Sequence, residues 1–155
     1  MVKKKVFPFL KDFRKTRGYN YSFDLLKDQD ALDELEDFAG VYIFEATKGS
    51  KFSCPVGNSS IIYIGKSDHI KRRLKEHLAI LMLLEDNKDY GIYDNKEGWL
   101  SSRYQFMHYC GAKVYIYKCL KKQDAKQLEA ELMWQYYTKY RCLPIGNGAK
   151  SYSLT

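Results

Sequence analysis

The chain has no apolar stretch long enough to cross a bilayer. Its longest clean run in 155 residues is LAILMLL at 78–84, whereas a spanning helix needs about 20 apolar residues. The N-terminal stretch MVKKKVFPFLKDFRK lacks the unbroken apolar core and small-residue cleavage site of a secretory signal, so a cytoplasmic location is expected. No CxxC pair occurs either. Cys54, Cys110, Cys119 and Cys142 stand far apart with no histidine at a zinc-ligand interval, which argues against a zinc site and for reduced, structural thiols. Internal repeats, low-complexity tracts and Pro/Gly-rich linkers are missing too. Residues 1–155 therefore read as one domain, long enough to bury a core without a metal or a disulfide.

What the chain has in surplus is positive charge, a net +7 with neutral histidines. A basic N-terminal arm, about 1–20, holds seven Lys/Arg against Asp12 within its first seventeen residues. The next segment, 24–37, carries seven acids against Lys27, so the two nearly cancel. The remaining excess lies in 66–77 and 113–150. Lys and Arg that neutralise phosphates release condensed counterions, which makes a polyanion the natural partner for that excess.

Leu25, Leu26, Ala31, Leu32 and Leu35 fall at near-helical intervals, which predicts an acidic helical lead-in over about 22–37. AGVYIFEA at 39–46 predicts a strand, TKGSKFSCPVGNSS at 47–60 an extended hairpin connection, and IIYIG at 61–65 a second strand. Asp68 is expected to cap a helix from about His69 to Leu84. A polar loop at 86–98 follows, and then a helical segment around 99–109. AKVYIYKC at 112–119 predicts a third strand, and Asp124 is expected to cap a final helix through about Tyr140. That order predicts a small sheet with helices packed on its faces.

IIYIGKSDHIKRRLKEHL at 61–78 puts a tyrosine near a strand end and a basic stripe on the next helix. Hydrolysis of a phosphodiester needs a water deprotonated for in-line attack, charge stabilised on the phosphoryl oxygens, and something to offset the leaving alkoxide. Tyr42 and Tyr63 are predicted on adjacent strands, either as phenols meeting near one water or as aromatics packing the sheet. Gly65 allows a sharp turn and close approach of a substrate. Arg73 and His77, four residues apart, share one helix face, and the guanidinium fork of Arg73 suits a non-bridging phosphate oxygen. Arg72 points elsewhere on that helix, to solvent or more distant backbone phosphate. On the last helix only one of Glu129 and Glu131 can face a site, since two residues subtend about 200°.

GVY at 40–42, YIG at 63–65, Arg73 on the following helix, a late helical glutamate and a downstream Asn147 together resemble the GIY-YIG nuclease superfamily, from about Gly40 to Asn147. A literal GIY at 91–93 has no YIG strand after it and is read as coincidence. The resemblance implies an α/β (α+β) domain with a three-stranded, mostly antiparallel sheet flanked by helices. It implies a metal-dependent endonuclease hydrolysing DNA, of repair, recombination or restriction type. The alternative is a non-catalytic nucleic-acid-binding module on the same fold. Catalytic roles would fall to Tyr42, Tyr63, Arg73, His77, Glu129 and Asn147, and substrate contacts to Gly65, Lys66 and Arg72. Tyr42 is the favoured general base or water-orienting group, and neighbouring Lys and Arg are expected to help a phenol whose ordinary pKa is ~10. One Mg²⁺, with Mn²⁺ substituting, would sit on Glu129, with Glu131 beside Trp134 as the other register. The loop between the tyrosine motifs is longer than in compact members, and no second DNA-binding domain is visible. Specificity would come from the chain's own loops and arm, a homodimer or a partner protein.

Overall fold

The computed structural model of the chain describes residues 18–86 and 98–147. The basic arm through Arg17 and the literal GIY at 91–93 lie outside the described residues. The chain runs through β1 (Tyr21–Asp24), α1 (Gln29–Glu34), β2 (Ala39–Glu45), β3 (Phe52–Ser53), β4 (Asn58–Ser59) and β5 (Ile61–Ser67). It continues through α2 (Ile70–Asp86), α3 (Gly98–Cys110), β6 (Lys113–Cys119), α4 (Lys122–Tyr140) and a 3₁₀ turn at Ile145–Asn147. Among the described residues no helix is long and apolar enough to cross a membrane.

The main sheet has the order β1-β6-β2-β5 and every pairing in it is antiparallel. β2 is central and covered on both faces, which is why VYIF is buried without the alternation of a half-exposed strand. Tyr42, Phe44, Ile62, Val114 and Ile116 pack with Ile70, Leu74, Leu78 and Leu81 of α2 and Tyr104 and Met107 of α3. Val41, Ile43, Ile64, Tyr115 and Tyr117 pack on the other side against Ala125, Leu132, Tyr136 and Tyr140 of α4. Each such large side chain, fully buried, stabilises the fold by about 1.5–3 kcal/mol before entropy is counted. The mixed α+β architecture matches the expectation from sequence.

The sheet has a fourth strand where a helix was expected. Residues 22–24 pair with β6, Ser22 opposite Tyr115 and Phe23 opposite Val114. Further bonds join Asn20 N–H to Ile116 O at 2.7 Å and Leu25 N–H to Ala112 O at 3.0 Å. Only Gln29–Glu34 is helical. The open edge of β6 and the burial of Phe23 and Leu25 outweigh local helical spacing, a tertiary override of propensity. Asp24 then ends the strand by accepting the Leu26 and Lys27 N–H groups, and Asp28 caps α1 through Ala31 N–H.

Two expected helix caps are also corrected. Asp68 does not cap α2. Its carboxylate lies 3.6 Å from Lys122, while Ser67 Oγ takes the His69 N–H and Asp37 Oδ1 the Lys71 N–H. Asp124 lies inside the first turn of α4, favourable to the helix dipole, and the N-cap is Lys121 without a side-chain bond.

The expected connection at 47–60 is a β3–β4 hairpin, turned at Gly57 with φ 76°. Val56 N–H donates to Tyr140 O at 3.2 Å, tying the hairpin tip to the end of α4. All four cysteines are free, as expected. Cys54 and Cys142 nevertheless meet, and burial together with Cys54 pushes the Cys142 thiol up to about 12.

Candidate active site

Register brings the two strand tyrosines together. Tyr42 on β2 faces Gly65 on β5, and Phe44 faces Tyr63, so both phenols share the α2/α3 side of the sheet with ring centroids 5.9 Å apart. Gly65 is required by that arrangement. A Cβ there would lie 2.5 Å from Tyr63 Cε1 and 2.8 Å from Tyr42 Cζ and Oη. The glycine is therefore a packing necessity under the phenols and also the step toward the helix.

α2 enters directly after β5 and presents Arg73 and His77 one turn apart. His77 is fully buried. Its Nε2 lies 2.8 Å from the Tyr42 hydroxyl and its Nδ1 2.9 Å from the Tyr104 hydroxyl. Burial, then Arg73 and Arg103, hold its pKa well below 6.5, so the ring is neutral near pH 7. Arg73 only donates, and it stands beside the Tyr42 oxygen. The consistent arrangement has the Tyr42 hydroxyl donating to Nε2 and Nδ1–H donating to Tyr104. A neutral imidazole between two phenols can take a proton from one side while it is held from the other.

Burial also raises the Tyr42 phenol well above its ordinary value, with Tyr63 adding to the effect and Arg73 only partly opposing it. The expectation that neighbouring cations ease its ionisation is thus corrected, because desolvation at zero exposure outweighs them. Arg73 is half-exposed and pairs with Glu76 at 2.9 Å. Burial works against its charge, but Tyr42, Glu76 and Tyr63 together raise its pKa above the usual guanidinium value.

The remaining expected residues divide between this cluster and its surroundings. Asn147 does not point at the phenols. Its Oδ1 accepts the Ile64 N–H at 3.2 Å and its Nδ2 donates to Ile64 O at 2.9 Å, so it pairs with the outer edge of β5 as another strand would. Glu129 is half-buried on α4, where burial raises its carboxyl pKa and Lys66 partly opposes this, whereas Glu131 is exposed. Lys66 is exposed at the end of β5. Arg72 is exposed too and lines a shallow groove with Asp37, Lys71 and Lys75, apart from Tyr42. His69 pairs with Asp37 and His108 with Glu85, both away from the phenols.

Among the described residues no group of three or more His, Cys, Asp or Glu could hold a metal. Glu45, the buried carboxylate of β2, is already bonded to the Ser60 and Tyr115 hydroxyls. Glu129, the carboxylate expected to hold a metal, stands half-buried on α4 with Lys66 acting on it, while Glu76 is paired with Arg73. Such a donor set suits a hard ion like Mg²⁺, which keeps several waters and takes its other ligands from a phosphate.

Two residues of the cluster escaped the sequence reading. Tyr104 holds His77, and Arg103 stacks on Tyr63 with its guanidinium carbon 3.9 Å from the ring centroid. Neither belongs to a motif. The available signal was an arginine set among Trp99, Leu100, Tyr104, Phe106 and Met107 on a predicted helix, a composition that turns its face inward.

No curated protein and no solved structure was found to match the chain. A family match covers most of it, including every strand and helix that carries the buried tyrosine, histidine and arginine cluster and stopping short of Asn147. That match, over residues 38–141, is to the GIY-YIG catalytic domain, and the chain belongs to this nuclease family.

Proposed function

We propose that the protein is a metal-dependent endonuclease that hydrolyses DNA phosphodiester bonds. The observation that carries the proposal is the buried Tyr42–His77–Tyr104 hydrogen-bonded row beside Arg73. A surface that only binds nucleic acid has no use for a fully buried histidine poised between phenols, and isolated buried polar groups are costly to keep.

In this reading Arg73 and the exposed Lys66 hold the reacting phosphate, where charge develops during attack. The Tyr42 oxygen orients the attacking water and takes its proton while its own proton passes to His77 Nε2. Tyr104 fixes the imidazole orientation through Nδ1. Because burial holds the Tyr42 pKa high, no standing phenolate is invoked. The proton moves along the row only as the water attacks. Tyr63 and Gly65 shape the wall, and Asn147 keeps the β5 edge in place. Glu129 would hold Mg²⁺ or Mn²⁺, which when bound stabilises charge on the phosphoryl and leaving oxygens. Repair, recombination or restriction substrates remain the candidate classes, with specificity supplied by the loops, the arm, a second copy or a partner.

Incubation of the purified protein with supercoiled plasmid and Mg²⁺ or Mn²⁺ tests the proposal. Nicked or linear product that disappears with EDTA and falls on the order of 10²–10³-fold in Arg73→Ala is the expected result. A protein that binds DNA but leaves it intact with either metal would instead be the non-catalytic module.

A further inference from the structure

Arg103 is 7% exposed, and among the described residues no carboxylate pairs with it. Its Nε–H donates to Gly146 O at 3.0 Å, one face of its guanidinium plane lies over the Tyr63 ring, and its charge acts on the neighbouring Tyr104 phenol. A guanidinium has five N–H donors, more than these partners use. A buried cation without a counter-charge is costly and persists where an anion arrives to complete it. The same guanidinium acts on Tyr42, His77 and Tyr104, the groups that Arg73 also acts on from α2. The two arginines thus converge on the same tyrosine and histidine cluster from two different helices.

We propose that Arg103 is a second phosphate-binding arginine, closing on the DNA backbone from α3 while Arg73 holds it from α2. The inference rests on the nuclease reading, since it takes a nucleic-acid phosphate as the missing anion. The fork of Arg103 fits two non-bridging oxygens, and its contact with Gly146 O positions that fork and links phosphate binding to the turn that carries Asn147. The competing role is a latch that only holds the 145–147 turn against β5.

Fluorescence anisotropy with a labelled DNA duplex and a branched DNA junction, in EDTA and over a KCl series, separates the two roles without relying on cleavage. Loss of one phosphate contact in Arg103→Gln should reduce the slope of log K against log salt by about 0.9, about an eightfold loss of affinity at 0.1 M salt. Arg103→Lys should keep the slope and bind severalfold more weakly, because a point charge lacks the fork. A lowered melting temperature with an unchanged slope in Arg103→Gln would make it a latch and overturn the inference while leaving the nuclease reading intact. If Arg103→Gln shows no cooperative melt, Arg103→Lys decides, and wild-type affinity in that variant overturns the inference. Failure of the wild type to bind either DNA would overturn both readings.

Discussion

The Tyr42 hydroxyl lies 2.8 Å from His77 Nε2, and neither side chain has exposed surface. Strand β2 and helix α2 meet at this bond, so it is both a structural tie across the core and the first step of the proposed proton path. In Tyr42→Phe the packing survives but the imidazole loses a partner, which should cost about 1–3 kcal/mol by urea denaturation. Wild-type stability in this variant would mean that the bond is not held in solution.

The depressed pKa of His77 makes stability depend on pH with a definite sign. The unfolded chain binds this proton near pH 6.5 and the native chain only at lower pH, so the unfolded state gains protons first as pH falls. The stability contribution is fully present above pH 6.5 and declines progressively below it. Thermal melts of wild type and His77→Gln from pH 8 to pH 5 should show a flatter profile for the variant. Parallel profiles would place the native titration of His77 at its ordinary value.

Gly65 is expected to tolerate no side chain. In Gly65→Ala the added methyl meets Tyr63 Cε1 at 2.5 Å and the buried Tyr42 phenol at 2.8 Å. Tyr63 can swing outward but Tyr42 cannot, so overpacking should cost about 1–3 kcal/mol and displace the Tyr42 hydroxyl from His77. A calorimetric melt and the cleavage rate should both fall, and a fully active Gly65→Ala would contradict the close packing of the phenols.

Glu129 should bind metal only where it is ionised, and burial lifts that point above the ordinary carboxylate range while Lys66 lowers it. Mn²⁺ binding followed by electron paramagnetic resonance should weaken as pH falls, and Lys66→Met should move the midpoint to still higher pH. Glu129→Gln should abolish this binding and Glu131→Gln should leave it unchanged. The reverse pattern would move the ligand to Glu131.

Much of this arrangement was legible because it depends on short-range spacing. Tyr63, Gly65, Arg73 and His77 lie within fifteen residues on one strand-to-helix unit, and the strand and helix periods fix which of them share a side. β1 was not legible, since its partner Tyr115 is far along the chain from Ser22 and its local leucine spacing favours a helix. Arg103 and Tyr104 reach the cluster through the packing of α3 on α2, β5 and the 145–147 turn, all distant in sequence. The direction of the Tyr42 pKa shift was missed for the same reason. Cations near a phenol can be read from sequence, but the depth of burial that outweighs them comes from three elements closing over one ring.

Single-turnover cleavage by wild type, Tyr42→Phe, His77→Gln and Tyr104→Phe, at saturating protein and matched DNA binding, tests the proton path most directly. Losses on the order of 10²-fold or more are expected for Tyr42→Phe and His77→Gln, with a smaller loss for Tyr104→Phe, which only orients the imidazole. Wild-type rates in Tyr42→Phe and His77→Gln, with both variants folded and bound to DNA, would contradict the account.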